Sequence, residues 1–142
     1  MKVTMLLADA VQAVSGKLYV LGGGWSITGP EPPPSAIAIK VDVPWDEANK
    51  KHRFRLALVD DDGQAVRVPG PAKDPVPVEI SGEFEAGRPA GLKPGTPLDV
   101  VLALNIGPLP LPPDSRYVWR MWIDEQTREE WEVSFSTRAK PR

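Results

Sequence analysis

The chain has 142 residues, with 17 Lys and Arg against 19 Asp and Glu, no Cys and one His. That is one domain's worth of polypeptide, and it excludes disulfides, thiol catalysis and every zinc site built on Cys or on several His. A formal charge of −2 offers no field to hold a phosphate backbone, so nucleic acid is not an expected partner.

The first residues, Met1 to Ala10, resemble a secretory signal only at a glance. Asp9 interrupts them, and the apolar run Val3 to Ala8 is shorter than the ~7–15 residues such a segment needs. No run elsewhere reaches the ~18 residues of a membrane span. A soluble, cytoplasmic chain is expected, with no membrane partner.

Proline (17) and glycine (12) argue against long helices. They cluster at 22–24, 29–34, 69–77, 87–97 and 107–113, and the segments between them alternate apolar and polar side chains with period two. Strands are predicted near 3–9, 17–22, 35–43, 52–59, 64–68, 76–85, 97–106, 116–124 and 129–138. The clearest has Leu98, Val100, Leu102, Leu104 and Ile106 on one face. Ile37, Ile39 and Val41 alternate in the same way with Ala36, Ala38 and Lys40, and Phe54, Leu56 and Leu58 with Arg53, Arg55 and Ala57. Eight or nine short strands without crossover helices predict an all-β fold, an antiparallel β-sandwich occupying residues 1–142 as a single domain, with the last few residues as a tail.

Gly22-Gly23-Gly24-Trp25-Ser26-Ile27 follows a strand, yet no helix can start in Gly29-Pro30-Glu31-Pro32-Pro33-Pro34 to receive a pyrophosphate. The glycines read instead as a bulge or sharp strand exit. Trp45-Asp46-Glu47-Ala48-Asn49-Lys50, after Pro44, allows one helical turn. The basic cluster Lys50, Lys51, His52, Arg53, Arg55 reads as a solvated strand face, with His52 on the surface. Asp60-Asp61-Asp62-Gly63 is a hairpin turn and lacks the closing Glu of a calcium loop. Glu83, Glu85, Glu129, Glu130 and Glu132 fall on outer faces or turns, so carboxylate-pair catalysis is not expected. The run Pro108 to Pro113 reads as a rigid connection protecting a sheet edge.

The last two strands allow a register test. An odd-length connection after Asp124, such as Glu125-Gln126-Thr127, sets Met121 against Trp131, Trp119 against Val133 and Tyr117 against Phe135. Arg120 then faces Glu132, and Trp122 faces Glu130. Trp119 and Trp131 become core residues, whereas Trp122 points outward beside Arg120. Trp25 and Trp45 lie beside loops.

Leu111-Pro112-Pro113-Asp114-Ser115-Arg116-Tyr117 resembles the tyrosine corner of immunoglobulin-like and fibronectin type III sandwiches. The resemblance implies that Tyr117 bonds backbone near the corner and that Leu111 packs beneath it. A longer resemblance rests on Asp9-Ala10-Val11-Gln12, Gly16 to Trp25, Val43 to Asn49 and Asn105 to Pro113. On these the chain resembles an uncharacterised family of small all-β actinobacterial proteins, which implies no activity. That family's pattern carries a Gly after the Asp at 124, where this chain has Glu125.

No catalytic, cofactor-binding or metal-ligating residue is expected. The reading is a non-enzymatic protein-interaction or assembly module with a protein partner or self-association, using Trp122, Arg120, Trp25 and Trp45 as its candidate surface. The alternatives are a small-ligand or carbohydrate-binding sandwich with Trp25 and Trp45 as stacking platforms, and a repeated structural or decoration subunit of a larger assembly.

Overall fold

Strands form where the sequence alternates between Pro/Gly clusters, and a computed structural model describes all of residues 1–142. Three antiparallel strands, β1 (Lys2–Ala8), β5 (Ser35–Val43) and β10 (Leu98–Ile106), pair in the order β1-β5-β10. A second sheet has five strands: β4 (Ile27–Thr28), β6 (His52–Asp60), β9 (Glu79–Phe84), β11 (Ser115–Ile123) and β12 (Glu132–Thr137), ordered β4-β12-β11-β6-β9. All its pairings are antiparallel except β12 with β4. Two ribbons complete the fold, β2 (Ala10–Val14) with β3 (Lys17–Leu21) and β7 (Arg67–Pro69) with β8 (Pro75–Pro77). The single helical turn is a 3-10 turn at Trp45–Glu47.

The all-β, antiparallel character is as the alternation predicts. The inventory is richer than eight or nine strands in one sandwich, because twelve strands divide among four sheets and one pairing is parallel. Besides the two-residue β4, which pairs parallel with β12, two physical causes account for the difference. Ser15-Gly16 makes a tight turn that adds β2, and Pro69 to Pro77 splits the expected 64–68 and 76–85 into a short ribbon and β9.

The inner faces of the two large sheets share one core of 20 buried residues. Ile37, Ile39, Val41 and Val43 of β5 are fully buried, as are Leu56 and Leu58 of β6 and Met121 of β11. Each is worth about 1.5–3 kcal/mol relative to exposure. Trp119 and Trp131 join this core.

The β11–β12 ladder has the register that its side-chain chemistry requires. Tyr117 faces Phe135, Trp119 faces Val133 and Arg120 faces Glu132, with an ion pair joining the last two. The hairpin end differs from the predicted 125–127 loop. Ile123 bridges directly to Gln126 across Asp124 and Glu125, both left-handed at φ 51° and 65°. The chain then takes up extra residues before Trp131 rejoins β11, where its carbonyl accepts from Met121 N at 2.9 Å. Thr127 Oγ1 secures this detour by donating to Met121 O at 2.7 Å. The detour leaves Glu130 outside the β11–β12 ladder, which ends at Arg120 and Glu132, while on the other side of β11 Trp122 pairs with Arg55 of β6.

At the other end of β11, Tyr117 is buried and its hydroxyl donates to Pro112 O at 2.9 Å. Thr137 Oγ1 donates to the same carbonyl at 3.0 Å, and Leu111 is buried beside them. The corner thus ties the segment before β11 to the end of β12.

Tyr117→Phe keeps the ring and loses one of the two bonds to Pro112 O, so urea unfolding should show a loss of about 1 kcal/mol. Glu125→Gly relieves a left-handed residue at the cost of extra freedom in the unfolded chain. A net gain of about 0.5–1 kcal/mol is expected in the same assay.

Candidate interaction surface

The β2–β3 hairpin forms because its turn and its base are both specified locally. Ser15 and Gly16 have φ of 51° and 74°, the paired left-handed geometry of a two-residue hairpin turn. At the base, Asp9 N donates to Leu21 O and Gly22 O, and Gly24 N returns to Leu7 O at 2.8 Å. Gly22 is left-handed at φ 60°, and a Cβ there would overlap the Asp9 carboxylate. The glycine run is therefore a sharp strand exit.

The hairpin lies on the outer face of the three-stranded sheet, where the residues are small. Val11 packs with Ala8, Ala36 and Ala38 in a second buried cluster, with Leu18 and Ala103 at its margin. The Asn105 side chain clamps it from β10, accepting from Val11 N at 3.4 Å and donating to Val11 O at 3.1 Å.

Register then decides which side chains face water. Val11 pairs with Val20 and Ala13 with Leu18, so these four share one face. Val14, Tyr19 and Leu21 take the opposite face and are 49%, 55% and 70% exposed. Val20, on the Val11 face, is 38% exposed at the hairpin's base, where both it and Leu6 would touch a Cβ built on Gly23. Four of the eight exposed large hydrophobic residues of the chain thus sit on this one hairpin, with a fifth beside it.

The tryptophans and Arg120 occupy other places. Trp25 packs edge-on against Phe135 at 6.2 Å and lines a small cavity with Leu7, Leu111 and Trp119. Trp45 lines an open cleft of about 860 Å³ with Lys2, Lys40, Asp42 and Asp46. The Arg88 guanidinium covers that ring at 4.6 Å and donates to Trp45 O at 2.6 Å. Trp122 is half-buried under Arg55, 4.0 Å from the ring. Arg120 turns away from it, to Glu132 and to Arg128 O at 3.1 Å. Trp25, Trp45 and Trp122 line three separate cavities with no residue in common, so they form no joint platform. Trp119 and Trp131 are 2% and 4% exposed.

His52 is not the surface residue that its basic neighbours suggest. It is 2% exposed, on the inner face of β6, and its ring stacks on Phe84 at 5.4 Å. Nδ1 lies 2.6 Å from Asp124 Oδ2 and Nε2 lies 3.0 Å from Glu47 O. Both partners are acceptors, which the doubly protonated ring satisfies. Burial alone would lower the His52 pKa, but the Asp124 hydrogen bond, the Glu47 carbonyl and the charges of Asp124 and Glu47 raise it above 6.5 on balance. The same hydrogen bond chiefly holds Asp124 below its ordinary 3.8, with Arg53 N adding a bond to Oδ1 at 3.0 Å. With both ring nitrogens engaged, the pair joins β6, the 3-10 turn and the β11–β12 turn, and neither nitrogen is free to serve as a general base. No group of three or more His, Asp or Glu side chains converges to hold a metal ion.

The model of a family of unknown function, DUF6941, matches residues 3–135. No curated protein and no solved structure matches the chain. No helix is long and apolar enough to cross a membrane.

The raised His52 pKa contributes stability that is fully present below the unfolded value of 6.5, where the histidine is protonated in both states, and is lost as pH rises through the higher folded value. The lowered Asp124 pKa contributes above 3.8 and is lost as pH falls through the folded value below it. Chemical unfolding of the native chain and of His52→Gln should therefore differ most near pH 5–6 and converge toward pH 9. An offset independent of pH contradicts a charged staple.

Proposed function

The chain belongs to that family of unknown function, and we propose that it works as a non-enzymatic protein-interaction or assembly module on an immunoglobulin-like sandwich frame, in the cytoplasm. The single observation that carries the reading is the outer face of the β2–β3 hairpin. Val14, Tyr19 and Leu21 are exposed there although the other face buries Val11, half-buries Leu18 and is clamped by Asn105. The core needs none of them, and an ordered face that sets Tyr19 beside Gln12, and Val14 beside Lys17, mixes apolar and polar groups as a protein contact does. Tyr is also among the residues that most often anchor such contacts.

The small-ligand reading has one observation in its favour, the open cleft beside Trp45. It is the weaker of the two, because Arg88 already lies over the ring that a sugar would stack on.

Replacing Tyr19 and Leu21 together by Ser should leave the unfolding free energy within about 0.5 kcal/mol of the native chain, since both side chains are exposed. Affinity capture from the source cell should then recover specific partners about tenfold less well than with the native chain. Equal recovery overturns the reading.

A further inference from the structure

The three-stranded sheet ends on β10, and nothing in the chain pairs with that strand's outer edge. β10 runs nine residues against β5 in unbroken register, and no backbone hydrogen bond outside that ladder involves Asp99 to Ile106. The β2–β3 hairpin reaches β10 through the Asn105 side chain and makes no backbone bond to it. Alternate amides and carbonyls of β10 therefore point outward with no partner.

Exposed edges are ordinarily guarded by short length, Lys, Pro or bulges. Two of the other edges obey that rule, β4 with two residues and β9 with the charges of Glu79 and Glu83, while β1, the opposite edge of the same sheet, is seven residues long, begins on Lys2 and accepts Gly24 N at Leu7 O. β10 is nine residues long with no Lys, Pro or bulge, and its single charge is Asp99, next to its first residue. Its inward-facing Val100, Leu102, Leu104 and Ile106 are only half-buried, whereas their β5 neighbours Val41, Ile39 and Ile37 are fully buried. The core is open along this side.

We propose that β10 pairs antiparallel with β10 of a second copy across a two-fold axis at Leu102, joining the two three-stranded sheets into one of six strands. The strand is complementary to itself. Full overlap sets Leu102 on its own copy, Val100 on Leu104 and Leu98 on Ile106 along the inner face. On the outer face Val101 meets Ala103, and Asp99, the strand's one charge, meets Asn105 rather than another Asp99. Lys40 lies 3.3 Å from Asp99 but is shared with Asp42 at 3.1 Å, so the self-pairing register, which keeps the two Asp99 side chains at opposite ends of the seam, avoids a clash of like charge. This names a partner for the interaction module and rests on that reading, but it uses a surface separate from the outer hairpin face.

Light scattering after size exclusion tests it. The native chain should run at about twice its 15.5 kDa mass, and Val101→Glu should run as a monomer with at least tenfold weaker self-association. In the monomer Glu at 101 stays solvated on the outer face opposite Lys40, which Asp42 and Asp99 already share, so the melting temperature of the dilute protein should fall by no more than a few degrees. The chain has no Cys, which makes single-Cys variants clean reporters. Leu102→Cys should oxidise to a linked dimer, and Val100→Cys, whose partner is Leu104, should not. A native chain that stays monomeric up to roughly 1 mM overturns the proposal, as does a dimer that survives Val101→Glu. Loss of the dimer in the Tyr19/Leu21 double Ser variant would place self-association on the hairpin, overturning the edge pairing while sparing the module reading.

Discussion

The packing of β5 against β6 and β11 is the constraint on which the other features depend. Ile37, Ile39, Val41 and Val43 on one sheet, with Leu56, Leu58 and Met121 on the other, have no exposed surface. A one-residue slip in any of these strands would turn its whole apolar set to water, at about 1.5–3 kcal/mol for each large side chain. β11 lies at the middle of the five-stranded sheet, and its two ends are held by different chemistry. At its start the Tyr117 hydroxyl and Thr137 converge on Pro112 O; just past its end Asp124 binds the buried ring of His52. One tie is made by hydroxyl groups on a backbone carbonyl, the other by a charged pair.

That core also explains what the tryptophans are for. Trp119 and Trp131 fill it, Trp25 closes one end against Phe135, and Trp45 and Trp122 are capped by Arg88 and Arg55. None of the five is exposed. The exposed apolar surface lies instead on a ribbon attached to the outside of the smaller sheet, over a patch of alanines too short to repel it. A ribbon that contributes only a small satellite cluster to folding, yet has a defined shape and an apolar outer face, is a structure built to present side chains.

The sequence is most legible where both faces of a strand carry chemical information. The β11–β12 register follows from requiring Arg120 to meet Glu132 while Trp119 meets Val133, because any one-residue slip spoils both faces together. The tyrosine corner was readable as a local pattern, and its hydroxyl bond is present. His52 was hidden by Lys51 and Arg53, although stepping back by two from Phe54, Leu56 and Leu58 reaches it and predicts an inward position. The β2 strand was missed because Ala10 to Val14 is apolar on both faces, so alternation carries no signal; the Ser15-Gly16 pair was the available clue. The hairpin end at Asp124 and Glu125 departs from the simple loop because two left-handed residues there are not a choice that side-chain pairing predicts.

The central claim is that the β2–β3 hairpin is ordered by the fold without being part of what holds the fold together, which leaves its outer face free for a partner. Residue-resolved amide hydrogen exchange under native conditions tests this most directly. Amides of β5, β6 and β11 should exchange only through global unfolding, with protection that falls in step with total stability on adding denaturant. Those of β2 and β3 should exchange through local opening at markedly lower free energy and little denaturant dependence. Hairpin amides as protected as those of β5 would show the ribbon to be part of the cooperative core, and would contradict the account.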